Sequence, residues 1–163
     1  MRRAGAAALV LLLSVTACGF RPVHGTGEAG AARATASVQV APIPERSGQL
    51  VHRELVRRLR GGRSASGSAY RLAVELDERL AETGFRADET ATRRNITLSA
   101  SYRLIDARDG QTVLRGRAQS TNSANVLDQP YATEVAERDA RKRGANDLAK
   151  KIFRDVASEL GAR

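Results

Sequence analysis

Stretches in the middle of the chain alternate apolar and polar residues with a period of two, and they limit the possible folds more than any other feature. From Ala69 to Leu80, the residues Tyr70, Leu72, Val74 and Leu76 fall on one side, and Arg71, Ala73, Glu75 and Asp77 on the other. Successive side chains of a strand point to opposite faces, so this pattern predicts a strand buried on one face only. Thr92 to Ile105 repeats it, with Ile96, Leu98, Ala100, Tyr102 and Leu104 against Thr97, Ser99, Ser101 and Arg103. Asp109-Gly110 is a hairpin turn signal. Gln111 to Ser120 then returns as a further strand, with Leu114, Gly116 and Ala118 facing inward and Arg115, Arg117 and Gln119 outward. Small inward residues leave room for a helix. Consecutive strands joined by short turns pair antiparallel. Their polar face carries Arg71, Arg103, Arg115 and Arg117, with Arg93 and Arg94 just before the long strand.

Helical patterns flank this unit. In Ser47 to Arg60, Val51, Leu55 and Leu59 recur at the spacing of one helix face, and Gly61-Gly62 ends the run. Before it, Val38 and Val40 alternate in a short strand over Ser37 to Ile43, which Pro42 and Pro44 end and hold away from a central position. Asn122 to Leu127 reads as a loop. Asp128 can cap a helix, and Pro130 fits its first turn. From Tyr131 to about Leu160 the apolar stripe Ala136, Ala140, Leu148, Ile152, Val156 and Leu160 predicts one long helix, with Gly144 as a place to bend or weaken. The expected order is β-α-β-β-β-α. Two amphipathic helices are available to cover the apolar sheet face, which gives an α+β two-layer sandwich.

The N-terminus reads as an export and anchoring signal. Arg2 and Arg3 precede an uncharged apolar run, Ala4 to Leu13. A helix that spans a bilayer needs roughly 20 apolar residues, so this run has the length of a secretory signal instead. It ends Leu13-Ser14-Val15-Thr16-Ala17-Cys18, which resembles a bacterial lipobox. The resemblance implies cleavage after residue 17, a diacylglyceryl thioether on Cys18 and acylation of the new amine. Cys18 is the only cysteine, so an internal disulfide is excluded. More than one acyl chain is needed for stable anchoring, and the lipobox supplies them. Gly19 stands where Asp would retain a lipoprotein in the inner membrane, and so favours the outer one. Residues 23–35 are rich in Gly, Ala, Thr and Arg and read as a flexible tether, so 18–35 are the lipidated N-terminus and tether. Residues 36–163 form one domain.

The net charge is +9, mostly from Arg; Lys142, Lys150 and Lys151 are the lysines. That balance points to an anionic partner, with Arg suited to bidentate contact with phosphate. The few aromatics, Phe20, Phe85, Phe153, Tyr70, Tyr102 and Tyr131, give no ladder for stacking bases, so nucleic acid is not expected. His24 and His52 lack Cys or carboxylate neighbours at ligand spacing, so neither a metal nor another cofactor is expected. The acidic pairs Asp77-Glu78 and Asp88-Glu89 read as solvated turn residues. No phosphate loop or nucleophile elbow is present, and an enzyme is not expected.

Cys18-Gly19-Phe20-Arg21-Pro22 resembles the start of the LPS-assembly lipoprotein family LptE, in its alphaproteobacterial branch. Val23-His24-Gly25 stands where the family usually has Leu-Tyr-Gly. Asn125-Val126-Leu127, Pro130-Tyr131-Ala132 and Ala136-Glu137-Arg138-Asp139-Ala140 carry a second match, continued by Leu148-Ala149 and Ile152. Ser123-Ala124-Asn125 lacks the Tyr of the family's Ser-Tyr-Asn. The resemblance implies two helices on one face of a mostly antiparallel four-stranded sheet. It further implies a non-enzymatic outer-membrane lipoprotein that plugs and helps to assemble the β-barrel LptD, delivers lipopolysaccharide to the outer leaflet and binds lipopolysaccharide itself. The domain would then lie on the periplasmic side or inside the barrel lumen. Strand parity, not a family motif, nominates Arg93, Arg94, Arg103, Arg115 and Arg117 as lipopolysaccharide contacts. The alternative is a free-standing periplasmic lipoprotein that binds anionic glycolipid or peptidoglycan without a barrel.

Overall fold

A computed structural model describes residues 34–61, 67–85 and 91–162. The element order is β1 (Val38–Val40), α1 (Glu45–Arg60), β2 (Tyr70–Phe85), β3 (Ala91–Asp106), β4 (Thr112–Asn125) and α2 (Pro130–Gly161). The strands form one sheet in the order β1-β2-β3-β4, with β1 parallel to β2 and the other pairs antiparallel. The expected signal peptide, Cys18 and most of the tether lie outside the described residues. The described chain begins with a helical turn at 34–36, where Thr35 and Ala36 are buried.

The period-two pattern sets both faces of the sheet as expected. The rows Leu72-Leu104-Leu114, Val74-Tyr102-Gly116 and Leu76-Ala100-Ala118 cross the inner face in register. Above them, Val51, Leu55 and Leu59 of α1 and Ala140, Leu148, Ile152 and Val156 of α2 close the core. Fully burying a Leu, Ile or Val contributes about 1.5–3 kcal/mol each, so this single interface supplies most of the driving force. The edge strand β1 ends just before Pro42 and Pro44, which lack an N–H on the side away from β2 and so suit an edge. Gly61 ends α1 in the left-handed conformation (φ 52°), its N–H donating to the Arg57 carbonyl.

Several boundaries differ from the sequence reading. β2 runs on to Phe85 and β4 to Asn125, so residues 122–125, expected as loop, are strand. Polar cross-strand bonds hold this extension: Thr97 to Thr121 at 3.0 Å and Ser123 to Asn95 at 2.7 Å. Arg93 and Arg94 therefore lie inside β3, not before it. The pair Asp77-Glu78 sits within β2, split between the faces, and is not a turn; Asp88-Glu89 lies outside the described residues. Gln129, not Asp128, holds the N-cap position of α2, with Pro130 first in the helix.

Glycines explain two further differences. α2 is continuous, and Gly144 is buried in it. A Cβ there would stand 3.2 Å from Asn122 Nδ2 and from Leu98 Cδ1, so the glycine lets the helix approach the sheet. Gly116 makes room for Tyr102, not for a helix: a Cβ would stand 2.4 Å from the phenol Cζ and Oη. The ring lies across the glycine, and its hydroxyl donates to Asp155 of α2. Burial first, and then the bond to the Asp155 carboxylate, push the Tyr102 hydroxyl well above its ordinary range.

Candidate functional site

Among the described residues no helix covers the outer face of the sheet. Arg71, Arg79, Arg93, Arg103, Arg115 and Arg117 project there, against the carboxylates of Glu75 and Asp77. Register brings part of this set together. Arg103 is directly opposite Arg115, and Ser101 lies between Glu75 and Arg117. Ala73, Glu75, Ser101, Arg103, Arg115 and Arg117 line a shallow open trough.

Like charges directly opposite on adjacent strands destabilise a sheet. Relief here is slight. Arg103 Nη2 is 3.7 Å from Glu75 Oε1, with both side chains more than half exposed, and such a pair contributes little in water. Arg115 and Arg117 have no ion pair among the described residues. The trough thus holds adjacent guanidinium groups free to take up an anion, and Arg presents its donors in a fork that matches phosphate or carboxylate.

The other nominated arginines are elsewhere. Arg93 shares the outer face, but in the row Thr83-Arg93-Asn125, about 33 Å along β3 from Arg103 at the usual strand rise. Arg94 is on the opposite, helix-covered face, between Glu82 and Ala124. It donates to Glu82 at 2.8 Å and to Glu137 of α2. One site can contain Arg103, Arg115 and Arg117, but not these two.

Arg94 belongs to a charged seam under the helices. Arg141 donates to Glu78 at 2.8 Å and to Glu137 at 3.3 Å, and Ser47 of α1 donates to the other Glu78 oxygen. The chain Ser47-Glu78-Arg141-Glu137-Arg94-Glu82 ties α1, β2, α2 and β3 together. Bonds to Glu82 and Glu137 raise the pKa of Arg94. Burial opposes the charge of Arg141, but the Glu78 and Glu137 carboxylates outweigh it and raise that pKa also. Every seam member has a charged partner, so the seam fastens the fold and has no vacant group for a ligand. Sequence reading missed it because Glu78 and Glu82 interrupt the apolar alternation of β2. The available signal was Glu137 with Arg141, one helical turn apart inside an apolar stripe.

Among the described residues no cluster of His, Cys, Asp or Glu could hold a metal ion, and no helix is long and apolar enough to cross a membrane.

A two-helix layer on a β1-β2-β3-β4 sheet with a bare polar face can now be set beside known proteins. The lipopolysaccharide-assembly family model, LptE, matches residues 35–156. The chain belongs to the LptE family. A lipoprotein from Caulobacter crescentus has a similar crystal structure, with a TM-score of 0.73 at 29% identity over 83% of this chain and 99% of that one. A minor lipoprotein from Acinetobacter baumannii gives a TM-score of 0.60 at 17% identity, over 76% of this chain and 92% of that one. Rare lipoprotein B from Shewanella oneidensis gives 0.55 at 10% identity, over 74% and 92%. These last two share the fold. No curated protein matches the sequence. LptE membership places the chain in lipopolysaccharide assembly, and the α+β sandwich is the fold that the resemblance implied.

Proposed function

We propose that this LptE-family chain is a non-enzymatic outer-membrane lipoprotein that docks inside an LptD-type β-barrel and assists its assembly. In this reading residues 1–17 are removed, and Cys18 carries the acyl chains. Residues 18–33 then tether the fold to the membrane. The complex passes lipopolysaccharide to the outer leaflet, and Arg103, Arg115 and Arg117 contact its anionic groups. The observation that carries the proposal is the unequal sheet, closed by helices on one face and bare, polar and basic on the other. The lumen of a large barrel is polar, so a plug needs a polar wall of this kind. Val38 and Asp106 both pair with Tyr70, so β1 begins at the end of the sheet that carries the Asp109-Gly110 turn, and the exposed Leu127 and Tyr131 lie at the opposite end.

Affinity purification of the tagged full chain from detergent-solubilised envelopes tests this. A stoichiometric barrel in the eluate is the expected result. A barrel-free protein under mild detergent overturns the plug and leaves a free-standing glycolipid or peptidoglycan binder. The substitution Cys18→Ser should release the protein from membranes, because the thioether needs sulfur. Undiminished membrane attachment of that variant would remove the anchor from the proposal.

A further inference from the structure

The two edges of the sheet are treated differently. β4 has no strand on its far side, but α2 guards it. Lys151 Nζ donates to the Gln119 carbonyl at 2.5 Å, and Arg143 Nη2 to the Ser123 carbonyl at 3.2 Å. A strand added there would find those acceptors already taken. On the other side, β1 covers β2 only from Tyr70 to Leu72, while β2 continues to Phe85. The Tyr70 N–H donates to Ser37, and the Leu72 carbonyl accepts from Ala41. The even-numbered residues of β2 therefore turn their backbone groups away from β3. From Leu76 to Glu82 those groups have no backbone partner in another element among the described residues.

The side chains along this stretch do not guard it. Inward-pointing charges can protect an edge, and Glu78 and Glu82 stand where such guards would be. Glu78, however, is bonded to Arg141 and Ser47, and Glu82 to Arg94. Leu80, between them on the same face, is 47% exposed. On the outer face Asp77 and Arg79 form a 3.0 Å pair, with both side chains more than half exposed.

This stretch is complementary to itself. In an antiparallel pairing about a two-fold axis, the same edge meets its own copy. With Glu78 on the axis, Asp77 is opposite Arg79 of the second copy and Leu76 is opposite Leu80, each contact made twice. Both are favourable cross-strand pairs. With Asp77 or Arg79 on the axis, that charge meets itself, which destabilises the pairing. The Glu78 carboxylates that meet at the favoured axis each keep their own Arg141.

We propose that the open edge of β2 is an interface for a second copy of this chain, which joins the two sheets into one across Leu76 to Leu80. The inference stands apart from the barrel reading and from the basic trough.

The test uses the full chain purified in detergent and separated from any barrel. Sedimentation equilibrium over a concentration series gives the dimer dissociation constant. The wild type should form a dimer. Asp77→Arg or Arg79→Asp alone turns two opposite-charge contacts into two like-charge ones and should weaken the dimer about tenfold. Melting temperature should hold in both, because the exposed pair within one chain contributes little. Mixing the two variants restores opposite charges at every contact, so the mixture should form a heterodimer about tenfold tighter than either variant alone. A wild type that stays monomeric across the series overturns the proposal. So do single variants that associate as tightly as the wild type, or a mixture that gains nothing over its components. The barrel is read separately, by co-purification from envelopes. A barrel recovered with a chain that is monomeric in the series keeps the plug and removes the dimer, and a dimer without a barrel does the reverse.

Discussion

Gly116→Ala distinguishes this packing from generic strand behaviour by the sign of its effect. Glycine inside a strand ordinarily destabilises by roughly 0.5–1 kcal/mol relative to Ala, so the substitution should help an average strand. Here the new Cβ would stand 2.4 Å from Cζ and Oη of Tyr102. The ring cannot yield easily, since it is buried and bonded to Asp155. Overpacking costs about 1–3 kcal/mol, and displacing the phenol from a carboxylate costs about 1.5 kcal/mol more. With the backbone gain subtracted, the net cost is about 1.5–4 kcal/mol. In a domain of this size that lowers the melting temperature by roughly 10 °C. A denaturation cycle with Tyr102→Leu isolates the cause, because Leu has no ring over the glycine. In that background Gly116→Ala should cost about 0.5 kcal/mol or less. Additive effects of the two substitutions, or a stabilised single variant, would refute the claim that Gly116 exists to seat the ring.

The seam and the phenol give two further expectations. Glu137→Gln should destabilise by about 2 kcal/mol, because it removes the shared carboxylate from half-buried Arg94 and Arg141. Glu82→Gln, at an exposed end of the seam, should cost less than about 1 kcal/mol; urea titration of both variants checks the order, and equal costs would count against a shared central carboxylate. Stability should also fall at high pH through Tyr102. Its folded-state pKa is raised above the ordinary 10.0, so the folded state holds the proton longer and the contribution is complete below that value. It is lost as pH rises from there through the folded pKa. Tyr102→Phe should flatten this alkaline decline in melting temperature measured across it, and an unchanged slope would show that another group is responsible.

The sequence discloses the parts of this fold that depend on apolar periodicity. Tyr70 to Leu76, Ile96 to Leu104 and Val51 to Leu59 each bury a regular stripe, and a regular stripe is legible without coordinates. The extensions of β2 and β4 are not, because polar cross-strand bonds and ion pairs hold them. Glu78 and Glu82 look like the end of a strand until Arg141 and Arg94 arrive from distant positions in the chain. The glycines were misread for a similar reason. Gly144 and Gly116 matter for what stands opposite them, Leu98 and Tyr102, and pairing across elements leaves no local trace. Within the candidate site, parity on β4 located Arg115 and Arg117. Parity could not say that Lys150 and Arg154 of α2 would line a groove with Gln119, Ser120 and Thr121 of β4.

Arg93 and Arg94 show why net charge alone is a poor guide to the site. They are adjacent in sequence and on opposite faces, because the side-chain period of a strand is two. Arg94 is matched by Glu82 and Glu137, and Arg141 by Glu78 and Glu137, so the inner arginines add nothing to the field outside. On the outer face Arg115 and Arg117 are among the cations without an ion pair among the described residues, and Arg103 has only a 3.7 Å contact with exposed Glu75. Keeping cations adjacent on Arg103 and Arg115 costs stability that an opposite charge at either position would restore. A surface held only by the needs of folding would mix signs there, as the seam does. Arg115 and Arg117, without an ion pair among the described residues beside a seam in which each Arg has its Glu, are the groups that the proposed contact with an anion would use.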